Sequence, residues 1–166
     1  QPSLWIILLI FVTTFALPAA NFLLLRLTGS INDLSMPHRH QRILPFIFIS
    51  AIYVFVTVMF YWKFPIPNLL RLMMIVSTMV VFATVVTFFY KLSVHSLAMW
   101  GAVGMMLPMN KVSEVGSLLI PTAIVIIIAG VVMSARLALN AHTPREILIG
   151  STSGFAIGFF GMIILF

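Results

Sequence analysis

Long stretches without charge limit every fold this chain can adopt. No charged side chain occurs from Leu4 to Leu25, from Ile43 to Trp62, from Leu72 to Tyr90, from Leu118 to Ala135 or from Ile147 to Phe166. A helix of about 20 apolar residues crosses the hydrocarbon of a bilayer. Lipid offers the backbone no hydrogen-bond partner, so runs this uniform satisfy their amides only as helices. Hydrophobic residues make up 62% of the 166 and charged residues 7%, too few polar groups to clothe a soluble domain of this size. The expectation is an all-α fold: an integral membrane bundle of six transmembrane helices forming one domain over residues 1–166.

The spans read as Leu4 to Leu27, Ile43 to Trp62, Asn68 to Tyr90, Ser96 to Met109, Ser117 to Leu139 and Pro144 to Phe166. The first is too long for a signal-peptide core and has no small-residue cleavage pattern, so it reads as a span. Tyr61-Trp62-Lys63 is an aromatic and basic cluster of the kind found at a membrane interface. The fourth span is short for a crossing. Thr143-Pro144-Arg145-Glu146 spells a helix start with cap, first-turn proline and capping box. Gly150, Gly154, Gly158 and Gly161 form a small-residue stripe suited to close helix packing in lipid.

Six spans with short turns sort the charges by face. One face collects Arg26, Asp33, His38, Arg39, His40, Arg42, Lys91, His95, Arg136, His142, Arg145 and Glu146. The other holds Lys63, Arg71, Lys111 and Glu114. All four histidines therefore share a face. Ionisable groups near a membrane interior usually mark function, although interfacial anchoring also gathers them. The net charge of +6 sits in loops and helix ends, which suits anionic lipid headgroups or a phosphorylated substrate rather than nucleic acid. There is no cysteine, so disulfides and thiolate metal sites are excluded. No cofactor is expected, since the chain has no glycine-rich phosphate loop. No metal is expected either, since the His-Glu-x-x-His pattern is missing.

Three segments carry candidate chemistry. Arg136, five residues, His142, three residues and Glu146 form the first; Lys91-x-Ser93-x-His95 forms the second; Arg39-x-x-Arg42-x-x-Pro45 forms the third. On these residues the chain resembles the type 2 phosphatidic acid phosphatase superfamily. That family's third motif reads Ser-Arg, five residues, His, three residues, Asp, and Arg136, His142 and Glu146 fall on it. Its second motif reads Pro-Ser-Gly-His, over which Leu92-Ser93-Val94-His95 lies, matching at Ser93 and His95. Ala135 stands for the family serine, Glu146 for its aspartate, and Leu92 and Val94 for its proline and glycine. The first motif is absent in its usual form, and the basic loop with Arg39 and Arg42 stands in its place.

The resemblance implies a lipid phosphate phosphatase. His142 would attack phosphorus, Glu146 would orient it, and His95 would protonate the leaving oxygen and then activate water. Arg136, Lys91, Ser93, Arg42 and Arg39 would bind the phosphate. Partners would be a phosphorylated lipid substrate and membrane lipids; oligomeric state is left open. Other readings stand beside this one. Lys91 could simply snorkel, Ser93 could be a structural hydroxyl, Arg39 and Arg42 could contact anionic lipid, and His95 could bridge helices. A carrier or lipid-binding protein of the same fold, or a small transporter, would use the same composition. Glu146 also faces a conflict, because a capping-box carboxylate turns toward Thr143 and is expected not to serve both Thr143 and His142 fully; the histidine role is favoured, since Thr143 can cap alone. Counting bases by face places the site in the cytoplasm. The resemblance implies a bacterial inner membrane with the site facing outward, and that implication is followed.

Overall fold

A computed structural model describes residues 4–29, 40–64, 66–112 and 118–166. Every regular element among them is a helix: α1 (Leu4–Leu27), α2 (His40–Lys63), α3 (Pro67–Thr87), α4 (Val94–Val112), α5 (Leu119–Ala138) and α6 (Pro144–Leu165). α1, α2, α3, α5 and α6 are each long and apolar enough to cross a membrane, consistent with an integral membrane protein. Their outer surfaces remain apolar where a soluble protein would place charge. Phe55, Ile127 and Ile164, for example, are largely exposed.

Two helices depart from the expected spans for physical reasons. α2 begins at His40 rather than Ile43, which draws Arg42 into its first turn and buries it. α4 is longer than the predicted Ser96–Met109 segment, running from Val94 to Val112, yet it is not among the five apolar helices. Its polar and small residues face protein instead of lipid. Ser96, Leu97, Gly101, Val103 and Gly104 are buried.

The glycine stripe explains how α4 lies so deep. A methyl group on Gly150 would stand 2.6 Å from the Ser93 carbonyl oxygen. One on Gly154 would collide with the Leu97 carbonyl, and one on Gly158 with that of Gly101. Three glycines, one turn apart, thus let the α6 backbone lie directly on that of α4. Gly104 of α4 returns the arrangement against the Phe155 carbonyl. Gly161 does not share this face; it meets Ile75 of α3. Around the seam, Ile75, Met79, Ala83, Leu92, Leu97 and Met162 form the apolar core.

α2 and α3 are joined differently, by hydroxyls. Ser50 pairs with Thr84 and Thr57 with Ser77, and Thr84 also donates to the Phe46 carbonyl. Such bonds join helices in a solvent that offers no competing partners. α1 packs on α2 through its second half and through a π-helical turn, Val12–Ala16. The turn leaves the Thr14 carbonyl open to the Tyr53 hydroxyl, 2.9 Å away.

Candidate functional site

The starts of α2, α4 and α6 and the end of α5 meet at one end of the bundle. Local sequence chemistry shapes each of them. Thr143 caps α6: its Oγ1 accepts the Glu146 amide at 3.3 Å, and Glu146 Oε2 accepts the Thr143 amide at 3.3 Å. The same Oε2 lies 2.7 Å from His142 Nδ1. The expected conflict therefore does not arise. His142 immediately precedes the cap and folds its ring over the helix end, and one carboxylate oxygen has lone pairs for both donors. The shorter bond is the one to the histidine. An ionised carboxylate only accepts, so Nδ1 carries the proton and Nε2 keeps its lone pair. The His142 side chain is 4% exposed and that of Glu146 12%.

The turn that delivers His142 is built by Asn140. This residue was not singled out from the sequence. Its φ of 50° lies in the left-handed region. Its amide donates to Leu137 O, and the next amide, of Ala141, donates to Arg136 O. This is the Schellman closure of a helix, in which Asn is the usual substitute for glycine. It turns the chain back so that His142 returns over the helix end bearing Arg136. An asparagine directly after an apolar helix was the available signal.

The second predicted pair forms across the bundle. Arg136 Nη2 of α5 is 2.6 Å from His95 Nε2 of α4. His95 is exposed at the rim, while Arg136 is half-buried. Lys91 extends its Nζ to the Ala141 carbonyl at 3.0 Å and thereby ties the α3–α4 connection to the turn carrying His142. Arg42, buried at the start of α2, lies close enough for its charge to act on His95, His142 and Glu146.

One predicted phosphate contact, Ser93, has partners within the protein. Ser93 is fully buried. Its Oγ accepts the Ser96 amide at 3.4 Å and pairs with Ser96 Oγ at 2.9 Å. Ser93 stands at the N-cap of α4, where its oxygen satisfies an otherwise unpaired helix amide. Its backbone amide reaches the Glu146 carbonyl at 3.4 Å, so it docks the start of α4 on α6. Arg39, the remaining predicted phosphate ligand, lies outside the described residues, as do His38 and Asp33.

A cleft of about 270 Å³ opens beside this cluster, lined by Lys91, Asn140, His142, Thr143 and Glu146 among others. His95 and Arg136 do not line it; they stand alongside. Burial holds the proton affinity of His142 below the ordinary histidine value, against the opposing pull of Glu146, with Arg42 and Lys91 adding to the depression. His95 is lowered too, first by partial desolvation, then by Arg136, His142 and Arg42. Both shifts favour the neutral rings. The site combines three cations, two neutral imidazoles and one carboxylate already committed to hydrogen bonds. Such a balance suits an anion. Compared with known proteins, the chain matches no family model, no curated protein and no solved structure.

Proposed function

We propose that this protein is a metal-independent lipid phosphate phosphatase, similar in fold and mechanism to the type 2 phosphatidic acid phosphatases. The observation that carries the reading is the pair of oriented histidines, His142 on Glu146 at 2.7 Å and His95 on Arg136 at 2.6 Å, beside Arg42 and Lys91. In this reading His142 Nε2 attacks phosphorus, and the bond to the leaving oxygen breaks with its electron pair. His95 gives a proton to that oxygen. Neutral His95 then takes a proton from water, hydroxide displaces His142 from phosphorus, and inorganic phosphate leaves. Glu146 keeps the His142 proton on Nδ1 and stabilises the positive charge that develops on the ring. Arg136, Arg42 and Lys91 offset charge on the phosphoryl oxygens, assisted by the positive end of α6. The substrate would be a phosphomonoester or diphosphate of a lipid, presented to a site on the outer face of a bacterial inner membrane.

The test is release of phosphate from a phosphorylated lipid by purified protein in detergent with a chelator present. Turnover is expected to survive the chelator and to vanish in His142→Ala. Full turnover by that variant rejects His142 as nucleophile. A second reading, a lipid-binding or carrier protein of the same fold, draws on one observation: Ser93 is committed to capping α4. It wins if a phosphorylated lipid stabilises the protein without being cleaved.

A further inference from the structure

The contact between Arg136 and His95 sets a requirement on where protons sit. A guanidinium has five N–H donors and no acceptor. At 2.6 Å from Nη2, His95 Nε2 must therefore accept, and its single ring proton lies on Nδ1. As the side chains stand, His95 carries no proton on the nitrogen that Arg136 contacts. A general acid needs one.

The groups facing His95 do not favour adding it. Arg136 approaches from α5, Arg42 from α2 and His142 from the start of α6. Two are cations and the third is a neutral ring. The nearby carboxylate, Glu146, spends its Oε2 on His142 and Thr143. An anion supplied by a ligand is the natural source of the missing negative charge.

We infer that Arg136 is a positioning residue that keeps His95 from holding a proton on Nε2 until a phosphate group draws the guanidinium away, so that the substrate itself arms the acid. This rests on the phosphatase reading and adds an order of events to it. A phosphoryl dianion takes the N–H groups of Arg136, which binds oxyanions more strongly than a neutral ring nitrogen. The freed Nε2 takes a proton from solvent, held there by the adjacent negative charge. That proton passes to the leaving oxygen when the phosphorus–oxygen bond breaks. His95 is then neutral and takes a proton from the attacking water. After phosphate departs, proton loss from His95 and return of Arg136 restore the starting contact.

The experiment is NMR titration of the histidine rings in detergent-solubilised protein, with and without inorganic phosphate. Phosphate is expected to raise the proton affinity of His95 by about tenfold or more, the size of effect an adjacent opposite charge produces. In Arg136→Gln, His95 should titrate nearer its ordinary value without phosphate, and the phosphate-induced rise should shrink. Arg136→Lys provides the check if the glutamine variant does not fold. A lysine keeps the charge but loses the planar fork, and the phosphate-induced rise should again shrink. A wild-type His95 that titrates identically with and without phosphate overturns the proposal, as does an unchanged rise in both variants. Lipid phosphate release, measured on the same preparation, separates the two readings. Turnover without the His95 shift rejects the positioning role alone. The shift without turnover rejects the enzyme and leaves an anion-responsive pair.

Discussion

His142 and His95 stand in one site and are held by partners of opposite charge. His142 is buried, and its Nδ1 is bound by the Glu146 carboxylate. His95 is at the rim, and its Nε2 is bound by the Arg136 guanidinium. A carboxylate accepts a hydrogen bond from one nitrogen and makes the other more basic, as the proposed nucleophile requires. A guanidinium donates to a lone pair and opposes protonation, which prepares a ring that waits for negative charge. Two chemically identical side chains thus acquire different electrostatic settings from their neighbours, which the proposed mechanism would turn into different tasks.

The comparison is tested most severely by removing each ring in turn. His142→Ala should lose turnover by on the order of 10⁴-fold or more, as nucleophile deletions do, with no phosphorylated protein trapped. His95→Ala should still form the phosphorylated species from an aryl phosphate, whose leaving group needs no proton. Release of the trapped phosphate should then be slow. Equal loss of trapping in both variants would falsify the division of tasks.

The seam that aligns the two histidines offers the next test. Gly154→Val places a branched side chain against the Leu97 carbonyl and should push α4 away from α6. We expect a thermal unfolding midpoint in detergent lowered by the equivalent of about 2–3 kcal/mol, the scale of overpacking in a tight core. Turnover should fall as well. A variant of wild-type stability would show that the seam yields more easily than its geometry suggests.

Glu146 separates orientation from helix capping. Gln keeps the capping-box geometry, whereas Ala removes it. Glu146→Gln should lower turnover by roughly 10²–10⁴-fold, by analogy with amide replacement of a histidine-orienting carboxylate, with stability almost unchanged. Glu146→Ala should lose comparable activity and about 1 kcal/mol of stability besides. If the glutamine variant keeps full activity, the hydrogen bond at 2.7 Å is structural.

The smallest effect is on stability against pH. Both histidines bind protons less readily folded than unfolded. Below the ordinary histidine value of 6.5, the unfolded chain takes up protons that the folded site resists. Stability should therefore be full above about pH 6.5 and decline as pH falls below it. His142→Asn should flatten part of that decline in thermal melts, and an unchanged slope would place its origin elsewhere.

The parts of the site written within a few residues were legible from the chain alone. His142 and Glu146 are one helical turn apart, and Thr143-Pro144-Glu146 is a local helix start, so spacing suffices. Even there, the exclusive choice between cap and histidine was wrong, because the path of one carboxylate oxygen is a three-dimensional matter. Ser93 was ambiguous for a related reason. A serine just before a helix serves equally as cap or ligand in sequence, and its burial and its bond to the Ser96 amide are three-dimensional facts. Asn140 went unnoticed, although its place at the end of α5 carried the signal of a left-handed cap. The extent of α4 was underestimated because hydropathy measures fitness for lipid, and this helix is solvated by α6.

The sequence by itself determined that the chain is helical and suited to a membrane, because uncharged runs of this length have no other way to satisfy their backbone. It also determined how His142 and Glu146 are spaced. Only the tertiary structure decided that His95 meets Arg136 from another helix and that buried Arg42 lies near both histidines. It also decided that Ser93 turns inward. Those outcomes depend on glycines that bring α6 against α4 and on turns that redirect the chain. Such contacts join residues far apart along the sequence, where no local spacing can encode which one is met.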